Sequence, residues 1–259
     1  EYARGTIKFE VPIAHGILTL LVSLVGLHRV ANGCRIHSVE DVRYRAPVRI
    51  GDAVTPIFSV MDLEDGRIRL RVEAVRQDGQ VAMEGSVVVL PGEASPSVET
   101  DAIGPDPGRV RAARERCASV TAFPRDKEAP VFDQGRVVTR DFQAHISPEV
   151  ADGYWALVGS TSPAFWNLAV SLGMIAHTSA NFASPGWILL STKLEAPREP
   201  IREGDTLTSS ARLEITRLTR EEKRPIARIV MEVRNQHGRP VFRGEVTKMG
   251  DPGLCRERP

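Results

Sequence analysis

Two residues ahead of a long apolar run have the chemistry expected of a ligand-binding or catalytic site. His15 and Gly16 stand in the segment PIAHGIL, directly before a run of mostly apolar residues. An imidazole titrates near neutral pH and can transfer protons. A glycine in the first turn of a helix lets a ligand approach the free backbone N–H groups closely. A structural interpretation also fits, in which both residues only mark the start of a core helix.

A second combination with acid/base chemistry lies in the segment RDFQAHIS. Asp141 and His145 are four residues apart and precede Pro148. They are the Asp/His pair of the second half that could meet near a helix start, which makes them alternative candidates for acid/base catalysis. Structural roles are favoured for His28, at the end of a predicted helix where a cation complements the dipole, and for His37, on a predicted strand.

The elements that would position these residues occur twice in the chain. The segments VRYRAPVRIGD and LEAPREPIREGD are each followed by a strand-like run, a charged turn and further alternating runs. Three pairs of glycines keep a spacing of 153 or 159 residues: Gly51 with Gly204, Gly79 with Gly238, and Gly85 with Gly244. The sequence therefore predicts an internal duplication.

A helix is predicted ahead of each repeated block, at residues 13–28 and 166–181. Both segments lack proline and have apolar residues on all sides, which indicates helices buried on most sides. We expect Leu20, Leu21 and Leu24 to be buried, together with Trp166 of the second helix. About four alternating strands with glycine-containing turns follow each helix. Each half is thus predicted to be an antiparallel sheet wrapped around its own helix.

Composition and charge exclude several function classes. The 259 residues carry a net charge of +1, which gives no electrostatic reason to expect a nucleic-acid partner. The longest apolar run, at 17–27, is too short to span a membrane. Cys34, Cys117 and Cys255 are far apart and form no metal-binding cluster. A reducing cytoplasm is the simplest setting for such cysteines.

The order of these segments resembles the MaoC-like (R)-specific enoyl thioester hydratase/dehydratase family. The segments PIAHGIL, YRAPVRIGD and GQVAMEGSVVVLPG follow one another as in that family. The resemblance implies an α+β class and the hot-dog fold, in which a long antiparallel sheet wraps around one helix. The second half shares only the repeat and EPIREGDTL, so the chain is similar to double hot-dog members, whose tandem halves imitate a homodimer. We expect hot-dog units at 1–92 and 131–250, a linker at 93–130 and a tail at 251–259.

The resemblance implies reversible addition of water to a trans-2-enoyl thioester, which gives a (3R)-hydroxyacyl product. A carboxylate and an imidazole would act on one catalytic water. A backbone N–H at the start of the central helix would stabilise the thioester oxygen. By motif position this donor is Gly16, and His15 beside it supports the loop. We expect Gly16→Val to impair catalysis and leave the fold intact, because a first-turn position tolerates a side chain.

The acid/base pair of the family comes from a D-x-N-P-x-H motif, which would fall just upstream of Glu1. We therefore expect the first unit to lack its start in this sequence. The segment GSTSPAFW looks like a relic of the motif, with Ser160 at the Asp position and Phe165 at the His position. It also fits a plain helix start, with Ser162 as the N-cap and Pro163 at the first helical position. The second half is then expected to shape the acyl pocket.

The resemblance further implies a substrate carried by coenzyme A or an acyl carrier protein, in fatty-acid or polyketide-type metabolism. It implies no metal or redox cofactor, no nucleic acid and no membrane, and it leaves open a dimer of double hot-dogs or a heteromer. Three arginines could contact the phosphates of the carrier arm or could form a solvated strand face: Arg43, Arg45 and Arg49.

Two other functions stay open. A hot-dog thioesterase would hydrolyse the acyl thioester, with Ser160 and Thr161 near the central helix as candidate residues. A non-catalytic subunit would bind an acyl chain or complete the site of a partner. The lack of an Asp/His pair with the family spacing in residues 1–92 favours the second of these alternatives.

Overall fold

The computed structural model describes residues 14–30, 34–91, 130–158, 163–183, 186–195, 197 and 199–256, together with the helical residues Gly108, Arg111, Ala112 and Glu115. The helices are α1 (Gly16–Val30), α2 (Pro148–Val158) and α3 (Pro163–Phe182). The strands are β1 (Arg35–Tyr44), β2 (Val54–Glu64), β3 (Arg67–Arg76), β4 (Val81–Leu90), β5 (Phe132–Asp133), β6 (Val137–His145), β7 (Trp187–Glu195), β8 (Thr206–Leu218), β9 (Pro225–Arg234), β10 (Pro240–Gly250) and β11 (Cys255–Arg256).

Nine of these strands form one continuous sheet, in the order β2-β3-β4-β1-β7-β10-β9-β8-β6. Every neighbouring pair in it is antiparallel. β1 from the first repeat pairs with β7 from the second, and Val42 lies opposite Thr192. The predicted α+β class with antiparallel sheets is confirmed, and the two predicted sheets are halves of one sheet joined edge to edge. The domain boundaries at 92 and 131 stay predictions.

The two long helices lie on this sheet and run antiparallel to each other. α1 packs against β2, β3 and β4, whereas α3 packs against β1, β6, β8 and β10. The ring of His28, near the end of α1, lies 5.3 Å from the ring of Phe165, near the start of α3. At 1.5 Å per residue, both His15 and Ser179 lie roughly 20 Å from this contact along their helices. Lys248 bonds to the Ser179 carbonyl near the end of α3 and its charge acts on His15, so the start of α1 lies toward the end of α3.

The duplication is also visible in hydrogen bonds that join equivalent positions, with donor and acceptor exchanged between the halves. The Ala14 N–H donates to the Val48 carbonyl at 2.7 Å. In the second half, the Ile201 N–H donates to Oδ1 of Asn167 at 2.8 Å. Asn167 follows Ala14 by 153 residues, and Ile201 follows Val48 by the same number. Each repeat thus ties the entry of its helix to the segment that precedes its second strand.

The predicted core residues are buried. Leu20 and Leu24 are fully inaccessible, and Leu21 and Trp166 are nearly so. The Trp166 indole stacks on Trp155 of α2 at 4.8 Å between ring centroids. Its Nε1–H donates to the Ile201 carbonyl at 3.0 Å, which satisfies the buried donor. α2 thereby covers the first turns of α3.

Replacing Leu24 by alanine should lower the free energy of unfolding by about 2–5 kcal/mol, because the change leaves a cavity in the core. Chemical denaturation followed by circular dichroism measures this loss. Leu18→Ala is the matched control, since Leu18 lies on the same helix and is 37% exposed. We expect the control to cost under about 1 kcal/mol. Equal losses for the two variants would contradict a central position of α1.

Candidate functional site

The first turn of α1 has one backbone N–H, that of Gly16, with no acceptor among the described residues. The Ile17 N–H donates to Nδ1 of His15 at 3.3 Å, and the Leu18 N–H donates to the His15 carbonyl at 2.8 Å. Within the part of the chain that the structure describes, no residue accepts a hydrogen bond from the Gly16 N–H. A free N–H at a helix N-terminus, strengthened by the helix dipole, is suited to bind an oxygen with negative charge. Gly16 therefore presents the type of donor that the sequence predicts.

His15 acts as a cap in its neutral form. Nδ1 can accept a hydrogen bond only when it carries no proton. Although part of the side chain stays accessible, desolvation by the surrounding protein lowers the pKa of His15 to about 4, and the positive charge of Lys248 lowers it further. The imidazole is thus uncharged at neutral pH and is not a proton donor there. This agrees with the loop-supporting role that the family resemblance implies.

The Tyr44 ring packs directly against Gly16. A Cβ atom at position 16 would lie 2.8 Å from Cδ1 and Cε1 of Tyr44, which is closer than real contacts allow. The Tyr44 hydroxyl is hydrogen-bonded to Oγ1 of Thr192 on β7 at 3.1 Å, and burial raises the pKa of Tyr44. The ring is therefore held in place from the second half. The expectation that Gly16→Val leaves the fold intact does not hold, because any side chain must displace this ring.

Lys248 of the second half is a buried basic residue at the end of α3. Its side chain is 3% exposed, and its Nζ donates to the carbonyls of Ser179 and Ala183 at the end of α3. Burial lowers the pKa of Lys248 to about 7. Sequence reasoning missed this residue. The signal was the alternation of β10, which places Lys248 on the inward face two residues after the buried Val246.

The equivalent place at the other end of the helix pair has apolar residues at the two positions that correspond to His15 and Lys248. Leu168 corresponds to His15 at the spacing of 153, and Val89 corresponds to Lys248 at the spacing of 159. Both line a cavity whose other lining residues are Leu27, His28, Cys34, Ile36 and Phe165. Phe165, at the His position of the presumed relic motif, is thus a wall of this cavity. The two positions equivalent to His15 and Lys248 are therefore apolar, although His28 and Asn167 are polar residues near the start of α3.

The alternative acid/base pair is not brought together. Asp141 and His145 lie on the exposed face of β6, where each bonds to the neighbouring strand β8. Oδ1 of Asp141 accepts from the Ser210 hydroxyl at 2.7 Å, and Nδ1 of His145 lies 3.2 Å from Oγ1 of Thr206. The expectation that they meet near a helix start is wrong, because a strand holds residues four apart roughly 13 Å from each other.

Of the remaining candidate residues, the structure describes the three arginines and does not describe the two hydroxyl residues. Ser160 and Thr161 lie outside the described residues. Arg43, Arg45 and Arg49 are exposed, and Arg45 forms an ion pair with Glu84.

The acidic residues after His37 are also paired with basic groups. Glu40 pairs with Arg69, and Asp41 pairs with Lys193 at 2.8 Å. These pairs support a strand surface at this place rather than a catalytic base.

The chain was compared with family models, curated proteins and solved structures. No family model matches the chain. A curated relative, the (R)-specific enoyl-CoA hydratase of Rhodospirillum rubrum, is 33% identical over 93 residues, which is 35% of this chain and 63% of the relative. A solved MaoC-like dehydratase matches with a TM-score of 0.61 and 14% identity, over 96% of this chain and 87% of its own. The resemblance to the MaoC-like family is confirmed.

Two further solved structures also match this chain. Rv0216 of Mycobacterium tuberculosis, described as a double hot-dog, matches with a TM-score of 0.59 and 15% identity, over 96% of this chain and 85% of its own. A protein described as an oleoyl thioesterase from Lactobacillus plantarum matches with a TM-score of 0.56 and 12% identity, over 93% and 90% of the two chains. The double hot-dog fold is therefore confirmed. Among the described helices, none has the length and apolar character needed to cross a bilayer.

The buried Lys248 predicts a pH dependence of stability. The unfolded chain keeps this proton up to about pH 10.5, whereas the folded protein loses it above about pH 7. Between these values the unfolded state binds more protons, so the free energy of unfolding rises with pH, by on the order of 4 kcal/mol in total. Denaturation at pH 7 and pH 10 should show this rise in the wild type and not in Lys248→Met.

The matched control for this measurement is Lys193→Met. Lys193 lies on the neighbouring strand β7, and the Asp41 carboxylate raises its pKa. Lys193→Met should therefore keep the rise seen in the wild type. A rise of equal size in Lys248→Met would contradict the burial of the ammonium.

Proposed function

We propose that this chain is an acyl-thioester hydratase or dehydratase that interconverts trans-2-enoyl and (3R)-hydroxyacyl thioesters. The observation that carries the proposal is the Gly16 N–H at the start of α1, which has no acceptor in the part of the chain that the structure describes, whereas the next two N–H groups are engaged. The curated relative with 33% identity is itself an (R)-specific enoyl-CoA hydratase, which supports the same chemistry here. The residues named at this site are part of the proposal.

The proposed reaction needs one stabilised oxygen and two proton transfers. A base takes a proton from water as the water oxygen bonds to C3 of the enoyl group. The electrons of the double bond move toward the thioester, whose oxygen gains negative charge and accepts from the Gly16 N–H. An acid then delivers a proton to C2. We assign the base and the acid to the Asp and His of a motif upstream of Glu1, since His15 is neutral and engaged as a cap.

The substrate is proposed to be an acyl group on coenzyme A or an acyl carrier protein, in fatty-acid or polyketide-type metabolism. The printed name of the relative supports coenzyme A. The Cys34 thiol forms no disulfide with any described residue, which supports a reducing compartment, and we propose the cytoplasm. A dimer of double hot-dogs or a heteromer is part of the same proposal.

Thioester hydrolysis is the second candidate function. The match to a structure described as an oleoyl thioesterase, with a TM-score of 0.56, favours it at the level of the fold. Hydrolysis releases a free thiol and forms no hydroxyacyl product. A non-catalytic acyl-binding subunit would give neither product.

Replacing the Gly16 residue by glycolic acid in the full-length protein tests the oxyanion donor. The ester removes the N–H and adds no atom that could displace Tyr44. We expect kcat for hydration of an enoyl thioester to fall by on the order of a hundredfold or more, the usual effect of losing one such donor. The absorbance of the conjugated enoyl thioester reports hydration, and a thiol reagent reports hydrolysis.

The matched control is the equivalent ester at Leu18, whose N–H bonds to the His15 carbonyl and not to substrate. It removes one backbone donor of the same helix turn and should keep most of the activity. Equal losses at both positions would remove the special role of Gly16. Release of free thiol without hydroxyacyl product would replace the hydratase by a thioesterase.

A protein that begins at Glu1 tests where the acid and the base lie. We expect it to bind an acyl thioester weakly and to catalyse no hydration, because the proposed pair precedes Glu1. Isothermal titration with a non-hydratable thioester analogue and the absorbance assay measure the two properties. Hydration at the full-length rate would place the acid/base pair within residues 1–259.

A further inference from the structure

The segment between β1 and β2, residues 45–53, is bound by an arginine side chain from the end of β3. Nη1 of Arg76 donates to the Pro47 carbonyl at 2.9 Å. The Arg76 side chain is 12% exposed, and its guanidinium also pairs with Asp78 and lies 3.8 Å from the Asp52 carboxylate. A guanidinium withdrawn from water carries a desolvation cost, which these charged and polar partners offset. Arg76 thus connects the turn between β3 and β4 to the segment before β2.

The Pro47 carbonyl lies next to the hydrogen bond that fixes the entry of α1. The Val48 carbonyl accepts from the Ala14 N–H at 2.7 Å, and Ala14 precedes Gly16 by two residues. Pro47 and Val48 share a planar peptide unit, so a displacement of the Pro47 carbonyl also displaces Val48. Arg76 is therefore linked to the start of α1 through two successive hydrogen bonds.

Another link between the same turn and the same segment occurs in both halves of the chain. Oδ1 of Asp52 accepts from Nε2 of Gln77 at 2.7 Å, and Oδ1 of Asp205 accepts from Nε2 of Gln236 at 2.8 Å. Asp205 follows Asp52 by 153 residues, and Gln236 follows Gln77 by 159. This Asp–Gln bond belongs to the duplicated fold, so it does not distinguish the half that holds the candidate site.

The residue beside the Asp–Gln bond does distinguish the two halves. Asn235 takes the place of Arg76 at the spacing of 159, and its Oδ1 accepts from two N–H groups of its own turn at 3.0 and 3.1 Å. Within the described part of the second half, no side chain donates to the carbonyl of Pro200, which corresponds to Pro47. The turn thus closes without an arginine in one half, and the arginine occurs in the half that contains Gly16.

We propose that Arg76 is a positioning residue for the Gly16 donor, which it supports by holding Pro47 and, through Val48, the entry of α1. An oxyanion donor acts only if it already lies at hydrogen-bond distance when the charge develops. A misplacement of about 1 Å can lower the rate about a hundredfold. The inference rests on the proposed function for its effect on catalysis, but its structural part can be measured without any turnover.

The first test replaces Arg76 by the residue that the second half uses. In Arg76→Asn the new side chain can bond within its turn as Asn235 does, but it is too short to reach Pro47. In the full-length protein, hydrogen exchange followed by NMR should be at least about tenfold faster at the Ala14 amide and unchanged at Leu24, in the middle of α1. Unchanged exchange at Ala14 would overturn the inference, whatever reaction the protein catalyses. Equal acceleration at both amides would show a general loss of stability and would also overturn it.

Arg69→Asn is the matched control for this substitution. Arg69 lies on the same strand, is 46% exposed and pairs with Glu40. The control should leave both the exchange at Ala14 and the hydration activity unchanged. A faster exchange at Ala14 in Arg69→Asn would contradict a specific role of Arg76.

An ester between Pro47 and Val48 covers the case in which Arg76→Asn disturbs folding. An ester carbonyl is a weaker hydrogen-bond acceptor than an amide carbonyl, and this replacement keeps every side chain. Exchange at Ala14 should again be faster than in the wild type, by several-fold. The same exchange rate as in the wild type would contradict the proposed link between Pro47 and the entry of α1.

The second test asks whether Arg76 acts through the Gly16 N–H. We expect Arg76→Asn to lower kcat for hydration about tenfold and to change KM by less than about threefold. In the protein with the ester at Gly16, which lacks this N–H, the same substitution should lower kcat by less than about twofold. A tenfold loss in both backgrounds would contradict a role through Gly16. Faster exchange at Ala14 in a protein whose wild type hydrates no enoyl thioester would leave the positioning by Arg76 standing and would remove the proposed function instead.

Discussion

The pairing of β1 with β7 is the constraint on which the rest of the structure depends. It joins the two halves into one sheet, in which only β7 lies between β1 and β10 of the second half. This junction sets the two helices side by side and antiparallel, with the end of α3 beside the start of α1. Tyr44 and Thr192 bond across the junction itself. The candidate site is therefore a product of both halves, and neither half contains it alone.

Duplication produces two equivalent helix starts, and the residues at equivalent positions differ in polarity. Buried polar groups lower stability unless their hydrogen bonds are satisfied. For the buried Lys248 this requirement is met by the carbonyls at the end of α3, and His15, which stays accessible, caps the Ile17 N–H at the start of α1. At the start of α3 the equivalent positions hold Leu168 and Val89, which need no partners. The second end thus differs from the first at these two positions, while it keeps His28 and Asn167 as polar residues.

The sequence predicts the architecture well, because its signals are local. The two helices, the alternating strands and the repeat follow from periodicity and from the spacing of glycines. The Asp141/His145 candidate fails because a spacing of four suggests neighbours only on a helix, and these residues lie on a strand. Lys248 is inward by alternation, yet the sequence does not tell which helix end lies above it. That depends on the register between strands, and a shift of one residue would turn its side chain to the other face.

Two reasons favour a glycine at position 16: the Tyr44 ring leaves no space for a side chain, and the proposed site needs the backbone N–H. Both have one structural origin. The Tyr44 ring occupies the space of a Cβ atom, and its hydroxyl is fixed to Thr192 on the other side of the sheet junction. The ring therefore holds the start of α1 at a set distance from the junction. The same placement puts the Gly16 N–H next to His15, whose Nδ1 accepts from the Ile17 N–H. Packing and chemistry thus depend on the same contact, which is why a side-chain substitution at Gly16 changes both, whereas a backbone ester removes the Gly16 N–H and leaves the Tyr44 ring in place.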